Sequence, residues 1–281
     1  MTDVDIRVGP GRKALTYLAA SVLVLFTLFP IYILVISSLK GPDELFTYPP
    51  SYWPDLPTLE NYIRALSESR LVTLYLNSLL VAAGACSVTI AMAIFAGFAM
   101  ARFEFSGRSI VIALFLLAQI VPQVVMLIPV FSMFKALALV DSRFGLLIVY
   151  VAMLLPFSVI MMRGFYLEIP VQLEEAAMID GCSRLGALLR VVLPAALPGL
   201  VATTMYGFIN SWNELLFAVI LINSPKLQTL PVGIMSMVDE AGSERGLMLA
   251  VAVMALVPSL VLFGWIQRYL TSGLAAGAMK G

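Results

Sequence analysis

Gly145-Leu-Leu-Ile-Val-Tyr-Val-Ala-Met-Leu-Leu-Pro-Phe-Ser-Val-Ile-Met-Met162 runs from position 145 to 162 without one charged residue. A helix needs about 20 such residues to cross the hydrocarbon core of a bilayer. Comparable runs lie on both sides, at 14–36, 72–99, 110–131, 193–222 and 246–266. All are continuously apolar, whereas strands of a membrane barrel alternate. The reading is an all-α integral membrane protein. It has six transmembrane helices in a domain of residues 14–266, a long hydrophilic loop at 163–192, and tails at 1–13 and 267–281.

Composition agrees: 61% of the residues are hydrophobic, 12% are charged and the mean hydropathy is +0.98, so membrane lipid is the main solvent. Counting Lys and Arg near the spans with the N-terminus inside gives Arg7, Arg12, Lys13, Arg102, Arg108, Arg163, Arg184, Arg190, Arg268 and Lys280 on the inner side, ten residues. Lys40, Arg64, Arg70, Lys135, Arg143, Lys226 and Arg245, seven residues, then fall outside. The bias places both termini in the cytoplasm. The first run is of full span length and continues into Ser37-Ser-Leu-Lys40, so it reads as a retained helix rather than a cleaved signal.

Several chemistries are excluded. There is no histidine, so the commonest metal ligand and general base are missing; no metal site, catalytic residue or cofactor is expected. No G-x-x-x-x-G-K-[ST] loop is present to hold nucleotide phosphates. The formal net charge is zero, and no basic cluster offers a surface for nucleic acid. The two cysteines, Cys86 within a span and Cys182 in the inner loop, are expected to be reduced. The outer segment from Ser37 to Leu71 is rich in proline and aromatics, from Pro42 to Pro57, and predicts turns and extended chain rather than a long helix.

The inner loop from Arg163 to Pro194 predicts two short helices joined by a turn. Pro170 suits a first helical turn, and Glu174 and Glu175 suit the positive end of the helix. Gly181 is a natural stop in the left-handed conformation, and Ser183 can cap the next helix. Leu173, Ala176 and Ala177 share one side at helical spacing and offer a partner close approach. An amphipathic helix resting on headgroups is the other reading, opposed by the acidic residues and the lack of a basic face.

At these positions the chain resembles the permease subunits of ATP-binding-cassette importers. Their EAA loop is matched by Glu175-Ala176-Ala177, Asp180-Gly181, Val191 and Leu193-Pro194, with Val191 where isoleucine is usual. Asn77-Ser78-Leu79-Leu80, Ser211-Trp212-Asn213-Glu214 and Leu230-Pro231-Val232-Gly233 extend the likeness, and the tail from Gly273 to Gly281 is similar to that of the carbohydrate-uptake branch, including G-type maltose permeases. The resemblance implies a bacterial or archaeal inner-membrane complex. Its parts would be this chain, a second permease subunit, a dimer of cytoplasmic ATP-binding subunits and an external sugar-binding protein. It implies that Glu175, Ala176, Ala177, Asp180, Gly181 and Pro194 form a cytoplasmic coupling-helix loop that docks on the ATPase. It also implies that the outer loop with Met235, Asp239 and Glu240 meets the binding protein.

Thr203, Tyr206, Asn210, Asn213, Glu214 and Phe217 recur at helical steps along the fifth span, which predicts one polar, aromatic face. Glu214 lies about eight residues, or roughly 12 Å, from the outer end of its run. A charge at that depth faces the bundle interior or water, so Tyr206, Asn210, Asn213, Glu214 and Phe217 are candidate translocation-path residues. Polar glue between helices is the alternative. Gln119, Pro122 and Gln123 mark an expected kink in the third span. An ion-coupled secondary transporter with Glu214 as ion carrier is the rival function; it requires an internal repeat, which is not evident, and leaves the inner loop unexplained.

Overall fold

A computed structural model describes residues 10–239 and 245–278. Glu240 and residues 1–9 and 279–281 lie outside the described residues. No strand occurs among those described. The helices are α1 (Pro10–Ser38), α2 (Glu60–Ser67), α3 (Ser69–Arg102), α4 (Arg108–Ile120), α5 (Gln123–Ala136), α6 (Arg143–Glu168) and α7 (Gln172–Ile179). They continue as α8 (Arg184–Ala195), α9 (Leu197–Trp212), α10 (Leu216–Leu221), α11 (Leu230–Asp239) and α12 (Arg245–Ala278). Helices α1, α3, α6 and α12 are each long and apolar enough to cross a membrane, and six spans result if the pairs α4–α5 and α8–α9 each count as one.

The fifth run is therefore not the continuous helix expected, and the third bends where Gln119, Pro122 and Gln123 marked a kink. Helix α4 turns through 105° into α5. Val121 there is extended (φ −70°, ψ 121°), the conformation that a following proline imposes, and Pro122 has no N–H to leave unpaired. Between α8 and α9 the bend is 80°. Pro194 cannot donate to Arg190, and the chain passes through a π turn at Leu188–Val192 in which Leu193 N–H reaches Leu188 O. The fifth run also ends at Trp212 and restarts as α10 at Leu216. The last helix continues past the expected boundary at 266 to Ala278.

The described chain divides into two units. In the first, holding α1, α2 and the start of α12, Asn61 Nδ2 donates to Ser38 O and Lys40 O at 3.0 and 3.1 Å. Lys40 is buried and donates to Ser51 O. Apart from the two turns of α2 and a 3₁₀ turn at Glu44–Phe46, the outer segment carries no helix, as its prolines predict.

In the second unit α3 and α6 lie side by side. Ala82, Ala85 and Ala93 on α3 have no exposed surface, and a Cβ at Gly97 would fall 2.8 Å from Met162 Cβ. Small residues permit such close approach where lipid gives helices no hydrophobic drive to associate. Apolar clusters occupy both ends of this contact: Val81, Ala85, Leu146, Val149 and Tyr150 in one, and Ala93, Phe98, Val159, Met162 and Tyr166 in the other.

The outer end of α3 is fastened through two motifs quoted above. Asn77 Nδ2 donates to Lys226 O and Gln228 O at 3.0 and 2.9 Å, its Oδ1 accepts from Arg143 Nε at 2.9 Å, and Ser78 Oγ accepts the N–H of Leu230 at 2.7 Å. Asp141, at φ 59°, accepts the backbone N–H groups of Asn223 and Ser224 and the Ser224 hydroxyl, which hold its carboxyl below the usual value, the Ser224 hydroxyl most. Replacing Asn77 by leucine keeps the volume but removes the bonds to two carbonyls and a guanidinium, of which Lys226 O and Arg143 keep only their bond to each other, at about 1–3 kcal/mol per buried group left unpaired. Asn77→Leu is expected to lower the thermal midpoint of the detergent-solubilised protein by several degrees. An unchanged midpoint would mean that water replaces the amide.

Candidate functional site

A cavity of about 620 Å³ opens where the broken spans meet α6. Its wall includes Gln119 and Gln123 on either side of the α4–α5 turn, Tyr150 and Pro156 from α6, and Tyr206, Asn210, Ser211, Asn213, Glu214 and Phe217. All five path residues expected from the sequence are thus together in one wall, although not on one continuous helix face. The face stops at Asn213, where α9 ends. Thr203 is fully buried with its hydroxyl bonded to Gly199 O, so it belongs to packing. Phe217 is only 2% exposed and sits in the apolar cluster with Val81 and Tyr150; the flat surface expected of it is turned into the core. Tyr206 stacks at a tilt on Phe157, ring centres 4.1 Å apart.

Glu214 fills a structural place that its depth alone did not reveal. One carboxylate oxygen accepts Phe217 N–H at 2.9 Å and the other accepts Ala218 N–H at 3.2 Å. These are donors that the first turn of α10 leaves unsatisfied, and hydrocarbon offers no water to take them. The Tyr150 hydroxyl donates to the Glu214 carbonyl at 3.4 Å. Asn210 and Asn213 each bond back to a carbonyl four residues earlier, Tyr206 O at 2.8 Å and Ile209 O at 2.9 Å. Because a carbonyl oxygen can only accept, the Asn atom facing it is the amide nitrogen, and the Oδ1 atoms are the freer ends.

The second candidate region is the turn of α7. Gly181 has φ 89° and nothing within 4 Å of a built Cβ, so the backbone angle alone demands glycine. Cys182 N–H bonds to Ala177 O and Gly181 N–H to Met178 O, closing the helix end. Ser183 Oγ accepts Gly186 N–H at 3.1 Å, the cap expected of it. Glu175, Ala176 and Asp180 are exposed, as are Leu173 and Ile179. Ala177 is a correction: it is 8% exposed and packs inward, because the inner stripe of α7 is set by Glu174 and Ala177 rather than by Leu173 and Ala177.

Sequence reading did not anticipate what holds that stripe. Glu174, 5% exposed, pairs with Arg102 Nε, while Arg102 Nη2 donates to Ile169 O at 2.8 Å. Arg163 Nε reaches Met100 O at 3.2 Å, and the Arg184 guanidinium lies 5.1 Å over the Phe103 ring. The last turn of α3 is thereby tied to the whole 163–184 segment. A basic residue closing an apolar run and an acid in the first turn of a helix 72 residues further on were visible as types, but not as a pair.

In the outer loop Met235 is exposed on α11, a helix where only a loop was expected. Asp239 is its last residue and Glu240 lies beyond the described segment.

The model for "Binding-protein-dependent transport system inner membrane component" matches residues 90–275. The sulfoquinovosyl glycerol transport system permease protein SmoH of Agrobacterium fabrum is 37% identical, over 96% of this chain and 94% of its own length. The diacetylchitobiose uptake system permease protein DasC of Streptomyces coelicolor is 36% identical, over 93% of this chain and 95% of its own length. Among solved structures, a chain of a bacterial ABC transporter involved in import of the acidic polysaccharide alginate superposes with a TM-score of 0.80 at 22% identity, covering 93% of this chain and 98% of its own. The chain belongs to the binding-protein-dependent transport system inner membrane components, multi-pass permease subunits of ATP-binding-cassette transporters.

Proposed function

We propose that this chain forms half of the translocation path of an ATP-driven importer for a sugar or sugar-like solute. Beside it stand a second permease, two cytoplasmic ATPase subunits and an external binding protein. The relatives whose names specify a cargo are permeases of sugar uptake systems, which supports the substrate class. Both termini and the α7 loop face the cytoplasm, supported by the ten-to-seven distribution of Lys and Arg counted above. The spans are those read from the sequence, with the third made of α4 and α5 at an angle and the fifth of α9 and α10.

One observation carries the reading of α7. Its inner stripe is locked to α3 through Glu174 and Arg102, while its outer face leaves Leu173, Ile179 and the Glu175 carboxylate exposed. A helix held on one side and apolar with a charge on the other fits a cleft in a partner protein. Glu175, Ala176, Asp180 and Gly181 make the contact, Ala177 and Pro194 shape the segment behind it, and closure of the ATPase dimer swings the helices as a rigid body. Met235 and the acids Asp239 and Glu240 meet the binding protein on the other side. Glu214 already accepts two backbone N–H groups, which fits a path wall better than an ion carrier.

In reconstituted vesicles Glu175→Ala is expected to lower solute-stimulated ATP hydrolysis about tenfold with membrane level unchanged, since a partly desolvated charge-assisted bond is worth about 1.5–3 kcal/mol. Gly181→Val should be worse and Gly181→Asn milder, because asparagine tolerates positive φ and valine does not. Wild-type stimulation in all three would return α7 to the headgroups.

The path has its own check. In a Cys182→Ser background, cysteines at Asn210 and Asn213 should react with a hydrophilic thiol reagent in the assembled transporter, while cysteines at Ala218, which is fully buried, and Val219, which is outside the cavity lining, should not. Equal reactivity at the four positions would place the cavity outside the path.

A further inference from the structure

We propose that Arg102 is a positioning residue for coupling: its guanidinium clamps the elbow between α6 and α7, so that α7 moves the membrane helices when the ATPase closes. The proposal rests on the reading of α7 as the ATPase-docking helix and adds to it a residue from outside that loop.

Helix α7 joins α6 through Ile169, Pro170 and Val171. Ile169 is extended (φ −86°, ψ 124°), the conformation that a following proline favours, and Pro170 has no N–H to bond backward. The backbone bonds on either side, Ile169 N–H to Tyr166 O and Leu173 N–H to Pro170 O, do not cross the elbow. At its other end α7 turns at Gly181, with φ 89°. An eight-residue helix between two bends swivels unless side chains hold it.

Arg102 holds it on both sides of the elbow. Its Nη2 donates to the Ile169 carbonyl at 2.8 Å, and its Nε pairs with the Glu174 carboxylate in the first turn of α7. A guanidinium presents these donors in one rigid plane, so the two contacts fix the angle of α7 as well as its position. The two side chains are only 9% and 7% exposed, which leaves little water to screen the pair. Arg163 on α6 returns the tie, donating to Met100 O at 3.2 Å. Each of the two helix ends thus has a carbonyl, of the kind that a terminus leaves free, capped by an arginine of the other. Arg184, over the Phe103 ring, is exposed and lies beyond Gly181, so it does not hold the elbow.

The clamp and the docking face are different residues. Glu175, Ala176 and Asp180 are exposed on α7, whereas Arg102 and Glu174 lie behind it. Without the clamp α7 can stay in the ATPase cleft while the elbow turns beneath it, so closure is absorbed there and hydrolysis no longer moves the spans. Loss of Arg102 therefore uncouples, whereas loss of Glu175 undocks.

The test uses the whole transporter with its partner subunits and binding protein in vesicles, in the Cys182→Ser background with Asn210→Cys as the path probe. ATP hydrolysis, pull-down of the ATPase subunit and labelling by an impermeant maleimide are measured, the labelling with and without ATP and orthovanadate. The background should change its labelling rate at least about tenfold on trapping, as a two-state shift of access does. Arg102→Gln should still hydrolyse ATP and retain the ATPase subunit, but its labelling should change less than about twofold. Arg102→Lys, which keeps a charge for Glu174 without the fork, should fall between the two. Arg102→Met combined with Glu174→Met removes both charges together and should keep the thermal midpoint, since an apolar pair often replaces a buried ion pair without loss. A merely structural role predicts that the labelling response returns with the midpoint; the clamp predicts that it stays lost. A background-like response in the double methionine variant or in Arg102→Gln overturns the proposal, and so does loss of the ATPase subunit from Arg102→Gln, which would make Arg102 a docking residue. If instead Glu175→Ala keeps the ATPase subunit, the hydrolysis and the labelling response, the docking reading of α7 fails and the clamp with it.

Discussion

A helix that breaks within the hydrocarbon must find partners for the backbone groups that the break releases, and the cavity of this protein exists only because it does. An unsatisfied N–H there costs several kcal/mol. Between Trp212 and Leu216 the Glu214 carboxylate takes two of the freed donors and Tyr150 gives a hydroxyl to the freed carbonyl. The other break, at Val121, uses the opposite device, since Pro122 removes a donor instead of supplying an acceptor. Residues beside both breaks, Gln119 and Gln123 at one and Asn213 and Glu214 at the other, line the same cavity. If α9 and α10 were one straight helix, the Glu214 carboxylate would have no backbone N–H groups to cap, and the wall that now holds Asn213 and Glu214 would close.

The same logic governs the cytoplasmic end, with charge in place of backbone. Arg102 and Glu174 have side chains only 9% and 7% exposed, so losing either partner leaves an uncompensated buried charge, at about 3–5 kcal/mol. The pair therefore specifies one seating of α7 and forbids small slips. Gly181 then sets the exit direction of the chain, because φ 89° is open to glycine and strained for nearly every other residue.

What the sequence discloses follows from which of these devices has a residue signature. The proline at 122 marked a bend, and the glycine and serine at 181 and 183 marked a helix stop and start, because each acts on its own backbone. The break at Asn213 has no proline or glycine, so periodicity carried the fifth span straight through it and put Phe217 on the path face instead of in the core. The choice between Glu174 and Glu175 as inward acid depends on which side of α7 meets α3, about 100° apart on a helical wheel. Spacing within α7 cannot supply that; it needed the position of Arg102. The pairing of Asn77 and Ser78 with the 226–230 backbone was equally hidden, though both motifs had stood out individually.

Helix α3 carries the consequence of both fastenings. Its outer end is bonded to Lys226, Gln228 and Leu230 through Asn77 and Ser78, and its inner end to Ile169 and Glu174 through Arg102. The 25 residues between span about 38 Å at the helical rise, with Gly97 and fully buried alanines pressing α3 against α6 along the way. An α-helix of that length bends gently unless proline or a bulge interrupts it, and α3 contains no proline. A displacement of α7 must therefore break a buried ion pair or carry the inner end of α3 with it. Breaking that pair costs about 3–5 kcal/mol, so a displacement of α7 that kept it intact would carry the inner end of α3 along, together with α6 packed against it.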